Sequence, residues 1–358
     1  ISASHNPWTD NGIKVFAANG YKLPDEVELD IEREIFALLA GGTERDAGQS
    51  SAPAPESSLP GSGVLRREYV EWLVSSVAGA ALGGARVVVD CAHGAASALA
   101  SEVFAACGVR ATLLHHSPDG RNINDHCGAL FPEAVAQAVA EFGADLGITF
   151  DGDADRALFA DARGKVVNGD AVLLLAARAL KAGGELPGDV VVATTMSNMG
   201  LEAALRKNGI RMLRAPVGDK YVLEEMQRSG AALGGEQSGH IIFSAAHTTG
   251  DGLLTALKVL GIVAASGQPL AELVADFHIF PQTIQNVRVR EKRPLEEIPE
   301  IARAIREAER ELDGNGRVVV RYSGTEPLAR VMVEAESEDR MRRWAEAIAQ
   351  AIERALGA

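Results

Sequence analysis

Three aspartates separated by single residues, Asp151, Asp153 and Asp155, stand in the run Asp151-Gly-Asp-Ala-Asp-Arg156, directly after the apolar segment Leu146–Phe150. Oxygen-only donors at this spacing suit a hard divalent cation, Mg²⁺ most naturally. A polar turn of solvated acids is the bland alternative, but three neighbouring carboxylates repel unless a cation or water screens them. The place also fits, because open α/β sheets put their ligands just outside the carboxyl ends of buried strands. An EF-hand needs Gly at the sixth position of the loop and Glu at the twelfth, where this chain has Arg156 and Ala162. A dehalogenase-type phosphatase, with Asp151 taking the phosphoryl group itself, is the closer rival, although the Thr or Val expected at the fifth position is Asp155.

Further polar loops carry groups that could act on a phosphorylated sugar. In Ile1-Ser-Ala-Ser-His-Asn-Pro7, followed by Asp10-Asn-Gly-Ile-Lys14, Ser4 could serve as a nucleophile with His5 beside it. By itself this reads equally well as a turn. Gly235-Glu-Gln-Ser-Gly-His240 sets an acid, an amide, a hydroxyl and an imidazole between glycines, a set able to hydrogen-bond vicinal sugar hydroxyls. Arg321-Tyr-Ser-Gly-Thr-Glu-Pro327, with Arg330 beyond it, pairs a backbone nest with guanidinium groups, as a phosphate monoester requires.

These loops need elements to hold them. A Gly/Ser/Pro/Ala stretch from Gly41 to Gly63 reads as a linker or mobile loop. Beyond it the hydrophobic pattern predicts helices over Arg66–Val77, Gly94–Cys107 and Pro132–Phe142, alternating with strands over 85–90, 109–115 and 146–150. Each strand reads as an apolar run buried on both faces. A second unit starts near Lys165, with helices over Ala171–Lys181, Gly200–Asn208 and Gly252–Ala265 and strands over 189–195 and 210–216. From about Phe280 the pattern changes to strands over 282–290, 316–323 and 329–336, interleaved with helices Leu295–Leu312 and Glu338–Leu356. This last region predicts a smaller α+β domain.

Composition narrows the classes. A net charge of −14 over 358 residues argues against a nucleic-acid partner. No apolar stretch approaches the roughly 20 residues of a membrane span. Cys91, Cys107 and Cys127 form neither an even disulfide set nor a CxxC pair, which points to a reducing cytoplasm. The chain starts at Ile1 with no leader, which suggests processing or a fragment.

Taken in chain order, Ser-Ala-Ser-His-Asn-Pro (2–7), Asn-Gly-Ile-Lys (11–14), Asp-Gly-Asp-Ala-Asp-Arg (151–156), Gly-Asp-Lys-Tyr-Val (218–222), Gly-Glu-Gln-Ser-Gly-His (235–240) and Arg-x-Ser-Gly-Thr-Glu-Pro (321–327) resemble the α-D-phosphohexomutase superfamily. The segments at 119–129 and 249–257 make the chain similar to the bacterial branch that acts on glucosamine phosphates. The resemblance implies an α/β architecture of three related α/β domains, the first incomplete at its N-terminus, and a C-terminal α+β domain around a central cleft. The expected divisions fall at 1–62, 63–163, 164–279 and 280–358. It further implies a magnesium-dependent interconversion of glucosamine 6-phosphate and glucosamine 1-phosphate through the 1,6-bisphosphate, with glucose or mannose phosphates as alternative substrates and a homodimer as a compatible assembly.

By the same resemblance Ser4 carries the phosphoryl group, and Asp151, Asp153 and Asp155 hold Mg²⁺ together with an oxygen on Ser4. Lys14 and His5 are similar to the family's groups for proton transfer and charge stabilisation, and Arg156 to its arginine beside the metal. Gly218, Asp219 and Lys220 match a loop facing the far end of the sugar. Glu236, Gln237, Ser238 and His240 belong to its sugar-contacting loop. Arg321, Ser323, Gly324, Thr325 and Arg330 match the pocket for the phosphate that is not reacting. Tyr322 departs from the family's usual proline. A family member normally has a further segment before the serine loop, roughly a hundred residues and so of domain size. Without it, the serine loop is expected to lack a platform and the chain to bind a sugar phosphate without isomerising it.

Overall fold

The computed structural model describes residues 1–40, 61–323 and 326–357. Most of the expected linker, together with Gly324 and Thr325, lies outside the described residues. The chain opens with two isolated bridges, Ser2 with Gly12 and Phe16 with Lys22. They are followed by helix α1 (Asp25–Ala40) and helix α2 (Ser62–Ser75).

The first sheet is built from β1 (Arg86–Asp90), β2 (Arg110–Leu114), β3 (Leu146–Phe150), β4 (Ala157–Asp161) and β5 (Val166–Val167), in the order β2-β1-β3-β4-β5. Strands β1, β2 and β3 run parallel, whereas β4 and β5 are antiparallel additions. Helices α3 (Ala100–Ala106) and α4 (Pro132–Phe142) connect the parallel strands. Gly147 in β3 lets α4 sit close, because a Cβ there would meet the side chains of Val139 and Val135 at 2.7 and 2.9 Å. Those two valines are fully buried, each contributing about 1.5–3 kcal/mol of apolar burial. The outcome is that β3 is buried along its whole length and delivers Asp151 at its end.

Two expectations need correction here. Strand β2 is an edge strand and half exposed, not buried on both faces. The single helix expected from Gly94 is broken into a 3₁₀ turn (Ala95–Ala98) and α3. The cause is the metal loop: Ala95 N–H donates to Gly152 O at 2.8 Å, and a Cβ on Gly94 would collide with the Gly152 backbone. Strands β4 and β5 were not expected at all.

The second unit comprises α5 (Gly169–Ala182), β6 (Val190–Thr194), α6 (Met199–Lys207), β7 (Arg211–Ala215), α7 (Asp219–Ser229), β8 (Leu233–Gly235), β9 (Ile241–Phe243), α8 (Gly252–Ser266) and α9 (Leu270–Leu273). Its sheet order is β7-β6-β8-β9, with β9 antiparallel. The Gly235–His240 loop is the turn between β8 and β9. The terminal unit has β10 (Gln282–Arg288), α10 (Pro299–Leu312), β11 (Gly316–Tyr322), β12 (Leu328–Ala335) and α11 (Glu338–Leu356), with an antiparallel sheet in the order β10-β12-β11. The helix expected from Leu295 starts at Pro299 instead, after a 3₁₀ turn, since the residue before a proline is pushed out of helical geometry and Ile298 is extended. Met341, Trp344, Ile348, Ile352 and Leu356 bury the predicted stripe of α11.

Buried polar contacts tie the second and terminal units together. Asn198 donates its amide to Phe280 O (3.1 Å) and accepts from Phe280 N–H (2.8 Å). The fully buried Glu334 of β12 accepts from Met199 N–H and from Arg317 Nε, both at 2.6 Å. No helix among the described residues is long and apolar enough to cross a membrane.

Candidate active site

The metal loop leaves β3 at Asp151, which is fully buried, and turns through Ala154 at φ 59°. Asp151 Oδ1 accepts the Arg156 N–H at 3.1 Å. Asp153 Oδ2 takes Ser2 Oγ and Lys14 Nζ, both at 2.5 Å, and Lys14 also reaches Asp155 Oδ2 at 3.3 Å. One oxygen from each of the three aspartates lies within 4.8 Å of the others. Asp153 Oδ1 and Asp155 Oδ1 are buried with no hydrogen-bond partner. Clustered carboxylates with buried, unpartnered oxygens are what a hard cation would satisfy, so the residues present fit Mg²⁺.

The titration of the loop shows the same need for positive charge. Burial, then the charges of Asp155 and Asp153, push the Asp151 carboxyl up to about 8. Burial also works against the ionised form of Asp155, but His240, Lys14 and Arg156 outweigh it and hold that carboxyl well below the usual range. Lys14 is desolvated as well, yet its bond to Asp153 and the charge of Asp155 raise its pKa, so it stands as an ammonium.

Ser4 lies against this loop. Its backbone is left-handed, φ 50°, a conformation that costs a serine energy and persists only where the surroundings impose it. Gly152 N–H and the Asn124 side-chain amide both donate to Ser4 O, at 3.0 and 2.8 Å, and Asn124 also reaches Asn6 O at 2.8 Å. Ser4 N–H donates to Ser2 Oγ at 2.8 Å. A Cβ at position 152 would collide with Ser4 O, so the metal loop needs glycine there. The expectation of an unsupported serine loop is met in part: the β3 unit holds the Ser4 backbone through these bonds, while α1 buries none of its residues and leaves Ile35, Phe36, Leu38 and Leu39 exposed, the uncovered apolar surface that was expected.

Ser4 Oγ is 3.5 Å from Asp151 Oδ2 and 3.3 Å from His5 Nδ1. Arg156 Nη1 approaches the same imidazole nitrogen at 3.2 Å. Burial and the Arg156 guanidinium lower the pKa of His5, and a neutral ring with its lone pair on Nδ1 is the form an arginine donor accepts.

The sugar-loop residues approach from the other side. His240 is buried, with Nε2 accepting from Gly250 N–H at 3.1 Å, which leaves the proton on Nδ1, 3.5 Å from Asp155 Oδ1. Its Nε2 is 3.8 Å from Asp219, which pairs with Lys22. Glu236 Oε1 accepts Gly218 N–H at 3.0 Å, and Ser238 Oγ donates to Glu236 Oε2 at 3.4 Å. Gln237 Nε2 points to Asp170 at 3.4 Å. Lys220 turns toward the start of α1, donating to Leu23 O at 3.3 Å and pairing with Asp25. A cavity of about 340 Å³ lies beside Ser2 and Asp153, and a separate one of about 400 Å³ is lined by Lys22, Asp219 and Lys220.

Arg321 and Arg330 stand directly opposite each other on β11 and β12. Like charges in this position repel unless an anion offsets them; Arg330 Nη2 pairs with the Glu326 carboxylate at 3.1 Å, while its Nε is buried without a partner. Ser323 is buried beside them. Among the described residues no hydrogen bond or ion pair joins this group to the metal loop. Sequence reasoning assigned no role to Ser2, Lys22, Asn124 or Asp170. Ser2 lay inside the 2–7 motif and Asn124 inside the 119–129 motif; Lys22 and Asp170 carried no motif signal.

Each of the four α-D-phosphohexomutase regions is matched. Residues 1–40, 67–164 and 168–280 match the α/β/α domains I, II and III of the phosphoglucomutase/phosphomannomutase family, and residues 285–351 its C-terminal domain. A phosphoglucosamine mutase from Koribacter versatilis is 60% identical over 100% of this chain and 77% of its own length. The chain belongs to the phosphoglucosamine mutase family. Solved structures that resemble this family member are more distant and speak for the fold. A phosphoglucomutase/phosphomannomutase family protein from Burkholderia thailandensis has a TM-score of 0.63 at 24% identity, covering 81% of this chain and 64% of that one. An Aspergillus fumigatus N-acetylphosphoglucosamine mutase, in complex with GlcNAc-6P and magnesium, has a TM-score of 0.60 at 22% identity, covering 80% and 70%.

In this phosphoglucosamine mutase family member Asp170 is a buried acid that no catalytic role requires. Burial first, with a contribution from Glu334, raises its pKa to about 6 against the bonds from Asn198 and Ser197. A folded-state pKa above the unfolded one of 3.8 means that stability is fully present below about pH 4 and falls as pH rises toward 6. Asp170→Asn is expected to flatten that decline, worth on the order of 1–3 kcal/mol, in melting curves taken across this window. A decline of unchanged depth would assign it to other groups.

Proposed function

We propose that the chain interconverts glucosamine 6-phosphate and glucosamine 1-phosphate, with Ser4 carrying the phosphoryl group between the two ends of the sugar. The observation that carries this reading is the placement of Ser4 Oγ against Asp151, with His5, Lys14 and Arg156 gathered around the same point. Phosphoryl transfer demands mainly positioning and charge neutralisation. Mg²⁺, held by Asp151, Asp153, Asp155 and an oxygen on Ser4, would neutralise charge on the transferring group. The magnesium complex of the Aspergillus fumigatus relative supports that choice of ion.

The chain's own residues supply the rest. Phosphoserine at position 4 gives its phosphoryl group to the free hydroxyl of the monophosphate, which yields the bisphosphate and a free serine. After the sugar turns around, the Ser4 hydroxyl attacks the other phosphate and becomes phosphoserine again, while the sugar oxygen that leaves takes up the serine's proton, with His5 beside Ser4 Oγ at 3.3 Å to assist the transfer. Lys14 and Arg156 remain cationic beside the transferring group. Arg321, Arg330 and Ser323 hold the phosphate that is not reacting, together with Gly324 and Thr325. Glu236, Ser238 and His240 face the sugar hydroxyls, and the Gly218–Asp219 turn fixes Glu236. A bound ligand must satisfy these contacts in both orientations.

Gln237 is the residue suited to favour an amino sugar. Its Nε2 is given to Asp170, so its carbonyl is the end free to accept from an ammonium group. Gln237→Met is expected to shift the glucosamine-to-glucose ratio of kcat/KM by about tenfold toward glucose. A coupled assay with glucosamine, glucose and mannose 6-phosphates measures this; an unchanged ratio removes Gln237 from specificity, and a wild-type preference for mannose or glucose phosphate contradicts the assigned substrate.

A further inference from the structure

Behind the serine loop, at the carboxyl end of β1, three donors of different chemistry converge. Asp90, His115 and Cys127 each offer one ligand atom, and these atoms all lie within 4.8 Å of one another. They come from separate pieces of chain: the last residue of β1, the residue after β2, and the loop that precedes α4. Asp90 and Cys127 are fully buried, and Nδ1 of His115 is buried although part of its ring reaches solvent. That nitrogen is 3.1 Å from Asp90 Oδ1, yet it makes no hydrogen bond there or elsewhere. The two atoms are close enough to share a third partner, since a tetrahedral zinc ion with bonds of about 2.0 Å sets neighbouring nitrogen and oxygen ligands about 3.3 Å apart, near the 3.1 Å between them.

The support around the donors has the same character. Asp90 Oδ1 accepts Ala92 N–H at 2.9 Å and Oδ2 accepts Gly128 N–H at 3.0 Å. Backbone donors thus fix the carboxylate while leaving it lone pairs, as the outer shell of a metal site does. We propose that Asp90, His115 and Cys127 form a second metal site, selective for a borderline divalent cation of the zinc class and separate from the oxygen-only aspartate loop. Imidazole and thiolate select such a cation over Mg²⁺. Binding exchanges the Cys127 thiol proton, released to solvent, for a sulfur–metal bond with no change of oxidation state.

The site would act on the structure beneath the reaction. It would staple the ends of β1 and β2 to the loop containing Asn124, whose N–H donates to Ala92 O (2.9 Å) and whose amide fixes Ser4 O. The test is a Co²⁺ titration of demetallated protein with Mg²⁺ in excess to occupy the aspartate loop. One equivalent per chain is expected to bind with a thiolate-to-cobalt charge-transfer band. The band should vanish in Cys127→Ser, weaken at least tenfold in apparent affinity in His115→Ala, and persist in Cys91→Ser and Asp153→Ala. Zn²⁺ should displace the cobalt and raise the melting temperature only in proteins that keep Cys127. His115 is the partly exposed member, so its alanine variant gives a reading even if Cys127→Ser folds poorly. Absence of a thiolate band in the wild-type chain, a band that survives Cys127→Ser, or undiminished affinity in His115→Ala overturns the proposal.

Discussion

Ser4→Ala is expected to lower kcat/KM for the mutase reaction by on the order of 10⁴-fold or more while leaving sugar-phosphate binding nearly intact. Removing the hydroxyl deletes the only proposed carrier of the phosphoryl group, so no bisphosphate can form from a monophosphate. The loop itself should survive, because its anchors are backbone and neighbouring groups: Gly152 N–H and Asn124 on Ser4 O, and Ser2 Oγ on Ser4 N–H. Binding by calorimetry and turnover by the coupled assay separate the two quantities. Turnover within tenfold of wild type would remove Ser4 from the chemistry.

Asp153→Ala is expected to cost about 10²- to 10³-fold in turnover and to abolish its dependence on magnesium concentration. The change removes a cation ligand and also releases Lys14 and Ser2, which both bond to Asp153 Oδ2. Stability should move little, within about 1 kcal/mol, since the lost pairing is offset by relief of repulsion among the three acids. Activity titrated with Mg²⁺ beside a thermal melt provides the check. An unaltered magnesium curve would place the cation elsewhere.

The chemistry was more legible in the sequence than the fold that supports it. The Asp-Gly-Asp-Ala-Asp-Arg run could be read because residue type, spacing and the preceding apolar strand all pointed to one use. Strand β3 and helix α4 fell at their expected limits because their hydrophobic periods are clean. Strands β4 and β5 were invisible for a physical reason. β4 (Ala157–Asp161) follows the metal loop, whose Asp151-Gly152 pair reads first as a cation loop and not as a hairpin turn, and β5 has only two residues. The 3₁₀ turn after Gly94 could not be foreseen either, since its cause is a contact with Gly152 far along the chain.

The same distinction runs through the site. Ser4, His5, Lys14 and the aspartates met as their motifs implied, but the groups that hold them came from elsewhere. Ser2 and Asn124 lay inside motifs that assigned them no role, and only the fold puts them on Asp153 and on Ser4 O. Lys220 shows the converse, a motif residue whose ammonium group goes to Leu23 O and Asp25 at the start of α1.

The central claim is that the phosphoryl group passes through Ser4 and not through Asp151. Incubating the protein with glucosamine 1,6-bisphosphate and Mg²⁺, then mapping phosphopeptides at acidic and alkaline pH, tests it directly. The account predicts one acid-stable, alkali-labile phosphoryl group on Ser4 and release of both glucosamine monophosphates. An acyl phosphate on Asp151, or steady turnover with Ser4 never labelled, would contradict it.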